Sequence, residues 1–231
     1  MRKLLELFAG TRSIGRAFER RGGWDVFSID WDETFPDIDM CCDIMDVTPE
    51  AIVDRFGRPD VIWASPDCSS YSVAAISHHR KKESHGNLAP QTDYARYSDR
   101  VNMHLHNLIM ALSPSLWFIE NPRAGMRSMD FMHVLDGMRH TVCYCKYGDT
   151  RQKPTGIWSN HPDPQFKPPC KAGDPCHERA PRGSRTGTQG INGSKARSVI
   201  PDELCDHIAE ICSTFDWDKW KDREPPQGRL F

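Results

Sequence analysis

No stretch of this chain approaches the ~20 consecutive apolar residues that a bilayer-spanning helix requires. Its opening, MRKLLELFAG, has neither an extended apolar core nor a small-residue cleavage signature. A membrane span and a secretory leader are therefore not expected, and a cytoplasmic protein is. No internal repeat is present, which removes solenoids and propellers. Net charge is nearly absent: 30 Lys and Arg against 32 Asp and Glu leave −2, a balance that does not by itself mark a nucleic-acid binder. The nine cysteines are an odd number in a chain without a leader. They argue against a disulfide framework and for free thiols, a metal site or catalysis. What is present is length and proline. With 231 residues the chain can bury a real core, as one domain with a small appendage, and 17 prolines predict long loops.

The small net charge hides an asymmetry. Between residues 151 and 200 there are nine Lys and Arg against three Asp and Glu, whereas 201–231 carry eight acids and four bases. A basic segment on a neutral body suits a polyanionic partner, with a solvated loop as the plain alternative.

KLLELFAG reads as a buried strand, a glycine turn follows, and SIGRAFERRGG reads as a helix with an apolar face and a glycine stop. WDVFSID, MCCDI and DVIWA are further strands, and PEAIVDRFG between the last two is helical with proline in its first turn. RVNMHLHNLIMAL and FMHVLDGMRH read as helices, SLWFIENP, TVCYCKYG and TGIWSN as strands, and IPDELCDHIAEIC as a closing helix. Strands alternating with helices predict an α/β fold with a doubly wound, mostly parallel sheet, which binds ligands at the carboxyl ends of its strands near the switch in strand order. From about 160 to 197, proline, glycine, serine and basic residues replace any apolar period. The expected organisation is a catalytic domain over 1–159, a small basic lobe over 160–197, and a returning helix with a tail over 198–231.

Three strand ends share one chemistry. FAGTRSIG turns on glycine between first strand and first helix, a place to hold a cofactor. The second strand ends in DWD, where an acid can accept from two ribose hydroxyls and an aromatic can cover a purine. The third ends in CDI, where an aspartate can accept from an exocyclic amine. Each alone could be a turn-forming acid; a nucleoside-bearing cofactor explains the set. The fourth strand runs into SPDCSSYS, which puts a cysteine at its mouth.

In this order and spacing ELFAG, DWD, CDI, SPDCSSYS and FIENP resemble the cytosine-C5 methyltransferases that use S-adenosyl-L-methionine. The resemblance runs from about residue 4 to 160 and resumes at SVIPDELCDHI, similar to the closing NAVPPxLAxxI of that family. It implies a Rossmann-like methyltransferase sheet with a small irregular recognition lobe. It also implies that Phe8 and Gly10 line the methionine side of the cofactor, that Ala9 and Pro66 belong to its binding site, that Asp30 binds its ribose, that Trp31 stacks on its adenine, and that Asp43 and Ile44 address the adenine edge. Cys68 falls on the nucleophile of CQxFS, and Glu120 on the acid that supports N3 of the cytosine. The family's QxRxR appears as RQKPT, with Arg151 at the glutamine position, Lys153 at the first arginine and Thr155 at the second; charge is kept and the fork is lost. Asp67 replaces a proline and Ser69 a glutamine; a carboxylate beside Cys68 raises the thiol pKa.

The implied partner is DNA, a duplex with its target cytosine flipped out, since C6 is unreachable inside the stack. A monomer is expected. Arg80, Lys81 and Lys82 lie in a loop resembling the one that closes over DNA, and the basic lobe stands at the target-recognition position, where phosphate contacts dominate. Arg182, Arg185 and Lys195 are candidates for such contacts. An RNA or nucleotide cytosine modifier, or a non-catalytic nucleic-acid-binding relative, are the alternatives. The lobe also carries Cys170, Cys176 and His177, with His161 upstream. This set could hold zinc, but Cys-x5-Cys is wider than usual spacing, and no metal is expected.

Overall fold

The computed structural model describes residues 1–83, 88–171, 173–178 and 193–221. Along the chain it forms β1 (Arg2–Leu7), α1 (Ser13–Arg21), β2 (Trp24–Asp30), β3 (Met40–Cys41), α2 (Pro49–Arg55) and β4 (Val61–Ala64). Then come α3 (Ile76–His79), β5 (Arg80–Lys82), β6 (Leu88–Pro90), α4 (Asp93–Leu112), β7 (Leu116–Pro122), α5 (Asp130–His133), β8 (Arg139–Cys143) and β9 (Pro154–Ser159). α6 (Ser194–Ser198), α7 (Asp202–Ser213) and α8 (Trp217–Lys221) complete the described part. Seven strands form one sheet in the order β3-β2-β1-β4-β7-β9-β8. β3, β2, β1, β4 and β7 run parallel, and β9 is antiparallel to both β7 and β8. This is a Rossmann-like, doubly wound sheet, and its strand order reverses between β1 and β4.

The strands read as apolar runs because both faces of the sheet are covered. Successive side chains point to opposite faces: Ile62 and Ala64 of β4 join one buried cluster with Leu5, Leu7, Leu105 and Ile109, under α2 and α4. Val61 and Trp63 join the other with Leu4, Ile14, Phe18, Leu204 and Ile208, under α1 and α7. Glu6 shares the second face with Leu4 and lies beneath α1, where Gly15 gives it room: a Cβ there would meet Glu6 Oε2 at 2.5 Å. The Thr48 and Thr92 hydroxyls cap α2 and α4 by accepting from Ala51 N and Ala95 N, each at 3.2 Å.

Several elements differ from the sequence reading, and the stretch read as a loop after Cys68 holds α3, β5 and β6. The helix expected over FMHVLDGMRH stops after His133: Leu135 N and Asp136 N donate to Met132 O and His133 O, three residues back, as turns, Gly137 then takes φ 90°, and Arg139 and His140 already belong to β8. TVCYCKYG is strand only to Cys143, then a 3-10 turn over Tyr144–Tyr147 that ends at Gly148 with φ 85°. The described residues of 160–197 form no strand, and their one helix is α6. Arg179, Arg182 and Arg185 lie outside the described residues.

Candidate active site

The carboxyl ends of β1, β2 and β4 meet at the switch point. Phe8 and Gly10, just past β1, both have positive φ, 56° and 50°. Gly10 N donates to Asp30 Oδ2 at 2.8 Å, which draws the β1 turn over the end of β2. The other Asp30 oxygen accepts from Asp32 N at 2.9 Å. Asp30 is thus a buried carboxylate held by two backbone amides, with lone pairs left for a ligand. Beside it Trp31 is 73 % exposed, an aromatic face turned to solvent, while Ala9 and Ile44 are buried. Asp43 caps the turn after β3 by accepting from Met45 N at 2.9 Å and also accepts from the Tyr97 hydroxyl of α4. Lys195 reaches this corner: its ammonium sits 3.4 Å from Asp32 Oδ2 and 4.2 Å from the Phe35 ring centre. Lys195 is therefore engaged with protein groups at the corner while its side chain stays half exposed.

Across the switch point, Pro66 is held by its carbonyl, which accepts from Asn121 Nδ2 at 2.9 Å. Cys68 follows at the start of a 3-10 turn. Its thiol pKa is pushed up to about 11, by burial first, then by Asp67 and Glu120, while Lys153 pulls the other way. Asp67 is not aimed at the sulfur. Its carboxylate accepts from Ser69 N at 3.0 Å and Ser69 Oγ at 2.8 Å, and from the Tyr94 hydroxyl of α4. Asp67 and Ser69 together thus build the turn that presents Cys68, an Asx-type closure that a proline at 67 could not supply.

Glu120, near the end of β7, is buried. Burial raises its pKa, opposed by the Lys153 ammonium and by the hydroxyl of Tyr144, which donates at 3.0 Å. Lys153 has φ 29°, donates to the Arg197 carbonyl at 2.9 Å, and lies 4.4 Å from the Tyr144 ring centre. Burial lowers its pKa and Glu120 raises it. A thiol, a carboxyl and an ammonium thus influence one another within one cluster, in which Glu120 is buried and Cys68 and Lys153 are half-buried, with Tyr144 bridging carboxyl and ammonium. Arg151 and Thr155 border it. Arg151 is buried against Asp149, donates to the Arg197 carbonyl at 3.3 Å, lies 5.9 Å from the Tyr144 ring centre, and its charge helps to lower the Lys153 pKa. Thr155 is fully buried in β9, donates to Lys153 O at 3.1 Å and also interacts with the Tyr144 hydroxyl.

Arg80 is not a surface contact. Its side chain is fully buried, pairs with Asp99 at 2.7 Å, donates to Ser70 O and Ser70 Oγ at 3.0 Å, and lies 4.1 Å from the Tyr71 ring centre. It ties the loop after Cys68 to α4, while Lys81 and Lys82 remain exposed. Sequence reasoning missed Tyr144, Tyr94 and Asn121. Asn121 could have been found, since it stands inside FIENP; the tyrosines act through contacts that cross the fold.

The doubly wound sheet thus sets an acid-and-aromatic corner at the switch point beside a cysteine and a glutamate. No family model matches the chain. It is 26 % identical over 232 residues to a probable DNA (cytosine-5)-methyltransferase of Frog virus 3 (isolate Goorha), covering 91 % of this chain and 100 % of the relative. Among solved structures it is similar to a putative DNA modification methyltransferase encoded within an E. coli prophage, with TM-score 0.48 and 16 % identity over 69 % of this chain and 46 % of that one. It is also similar to a mutant of Spodoptera frugiperda DNMT2, with TM-score 0.45 and 15 % identity over 72 % and 53 %. The chain spans about half the length of these two structures. The similarity to the Frog virus 3 protein thus runs over nearly the whole of a chain that carries the ordered motifs from ELFAG to FIENP.

Proposed function

We propose that this protein methylates C5 of cytosine in DNA, using S-adenosyl-L-methionine and a transient bond between Cys68 and C6 of the base. The observation that carries this reading is that Cys68, Glu120 and Lys153 act on one another's charge across the switch point from Asp30 and Trp31. The residues at the corner fit the cofactor. Asp30 keeps acceptor capacity beside an exposed Trp31 face, and the backbone at Gly10 has the left-handed turn that lets a ligand approach closely. Bound there, S-adenosylmethionine supplies an electrophilic methyl group.

Cytosine C5 is a weak nucleophile, and the protein's part is to make it a better one. The Cys68 thiolate adds to C6, and the C5–C6 π pair moves toward C5 as Glu120 gives its proton to N3. Once C5 carries the methyl, its proton leaves to a base, the S–C6 bond breaks, N3 returns its proton, and the ring recovers its double bond. The raised pKa of Glu120 keeps a proton available for N3. The raised pKa of Cys68 makes the ionised thiol scarce but a strong nucleophile once formed. Lys153 supplies positive charge beside both groups. The target base must leave the duplex to reach this cluster.

Bisulfite sequencing of DNA from cells expressing the chain tests the reading. Cytosines protected in a defined sequence context are expected, and none with Cys68→Ser. Competition of methyl transfer by duplex DNA, tRNA and dCMP separates DNA from RNA and nucleotide substrates. Inhibition by tRNA or dCMP with none by duplex DNA would contradict the DNA assignment.

A further inference from the structure

A second cluster of reactive side chains lies outside the site just described. Cys145 follows β8, Cys170 follows β9 by eleven residues, and Cys176 and His177 come after a short turn. Their donor atoms all lie within 4.8 Å of one another. Cys145 Sγ is 3.3 Å from Cys170 Sγ and 3.5 Å from Cys176 Sγ, and His177 Nδ1 is 3.7 Å from Cys170 Sγ and 3.6 Å from Cys176 Sγ. A disulfide needs sulfurs about 2.05 Å apart, and these thiols are free. Four donors at bonds of about 2.3 Å to sulfur and 2.0–2.1 Å to nitrogen stand about 3.5–3.8 Å apart at the corners of a tetrahedron. The observed separations are near that size.

The surroundings fit a bound cation. Gln152 Nε2 donates to Cys170 Sγ at 3.3 Å, the contact that steadies a thiolate. The segment carrying Cys170, Cys176 and His177 has no strand or helix from 160 to 178 among the described residues, and its packing on the core runs through His161, Pro164 and Phe166, all before Cys170. A stretch this poor in apolar contacts needs another fastening. His161, the upstream ligand considered from sequence, lies instead against Phe118 and Phe215. Cys145 takes the fourth corner from a different part of the chain, so the set was not legible as a spaced motif.

We propose that Cys145, Cys170, Cys176 and His177 hold one zinc(II) ion in a closed structural site. Three thiolates and an imidazole in a tetrahedron select zinc over the oxygen-seeking calcium and magnesium. On binding, four metal–ligand bonds form and the three thiol protons pass to solvent. The ion fastens the segment after β9 to the turn between β8 and β9. That turn carries Gln152 next to Lys153, so the zinc site is also a positioning device for the catalytic ammonium.

The test is elemental analysis of the full chain, expressed with added zinc and purified without chelator. One zinc per chain is expected in the wild type, in Cys41→Ser and in His161→Ala, and loss of most of the metal in Cys145→Ser and in Cys170→Ser. Should those variants fail to fold, wild-type protein exchanged into cobalt(II) gives the answer by its spectrum. Strong visible bands of a tetrahedral ion with a thiolate charge-transfer band in the near ultraviolet support the site. Folded wild type without stoichiometric zinc, zinc retained in Cys145→Ser, a pale octahedral cobalt spectrum, or an intact mass short of the two hydrogens of a disulfide would each overturn it.

Discussion

The Tyr144 hydroxyl donates to Glu120 Oε1 at 3.0 Å, from a tyrosine that is itself fully buried. The bond fixes the direction of the carboxyl, and Lys153 beside it restrains the rise in pKa that burial imposes. Glu120→Gln keeps the shape and removes the proton that N3 needs. Turnover should fall by about 100-fold or more, with S-adenosylhomocysteine affinity unchanged by calorimetry. If the variant loses its fold instead, Glu120 is a structural acid closing β7. Tyr144→Phe should cost about 1–2 kcal/mol of stability by urea titration, the scale of losing a buried hydrogen bond to a carboxylate.

Asp67 should act on the thiol through charge alone, because its oxygens are occupied by Ser69 and Tyr94. Asp67→Asn retains an acceptor for the turn and removes the second-largest cause of the raised Cys68 pKa. Iodoacetamide should then alkylate Cys68 faster at neutral pH, on the order of two- to tenfold, as the thiolate fraction grows. Peptide mapping reads this directly. An unchanged rate would show that burial accounts for the shift without Asp67.

Asp30 joins the β1 turn to the end of β2 through Gly10 N and Asp32 N. Asp30→Ala should weaken S-adenosylhomocysteine binding by about 1.5–3 kcal/mol in calorimetry. Asp30→Asn, which keeps one oxygen for Gly10, should lose less. Affinity unchanged in both variants would move the cofactor away from this corner.

Much of this was legible in the sequence, for reasons tied to the sheet. DVIWA and SLWFIENP declare buried parallel strands because both faces are covered, and motifs at their carboxyl ends necessarily meet at the switch point. FMHVLDGMRH misled because its apolar spacing outlasts the helix, which gives way to turns after His133. Arg80 read as a loop cation because a sequence does not reveal that Asp99, six residues into α4, waits across the fold. Cys145 and Tyr144 were read as ordinary members of a strand for the same reason: their partners, Cys170 and Glu120, lie 25 and 24 positions away.

Glu6 gives a pH signature independent of catalysis. Buried under α1, its pKa is raised to about 7, by desolvation above all, against hydrogen bonds from Gly15 and Ser28 and the charge of Arg12. Between about pH 4.5 and 7 the folded state therefore holds a proton that the unfolded state has released. Stability should fall as pH rises through that window, by up to about 3 kcal/mol from this group, and its contribution should be flat above it. Glu6→Gln should remove that part of the fall. Urea midpoints of wild type and variant that run parallel from pH 5 to 7 would contradict the assignment.

The central claim is that Cys68 bonds to the base. Fluorine at C5 cannot depart as a proton does, so 5-fluorocytosine at the target should halt the reaction after methyl transfer with protein and DNA joined. With S-adenosylmethionine present, denaturing gels and intact mass should show one species carrying protein, methyl group and DNA. It should be absent without the cofactor and in Cys68→Ser, whose hydroxyl is the weaker nucleophile. Serine variants at Cys41 and Cys42, which lie on the β3 side of the sheet, should still form it. A covalent band that persists in Cys68→Ser, or none from wild type on DNA that bisulfite shows to be a substrate, would contradict the account.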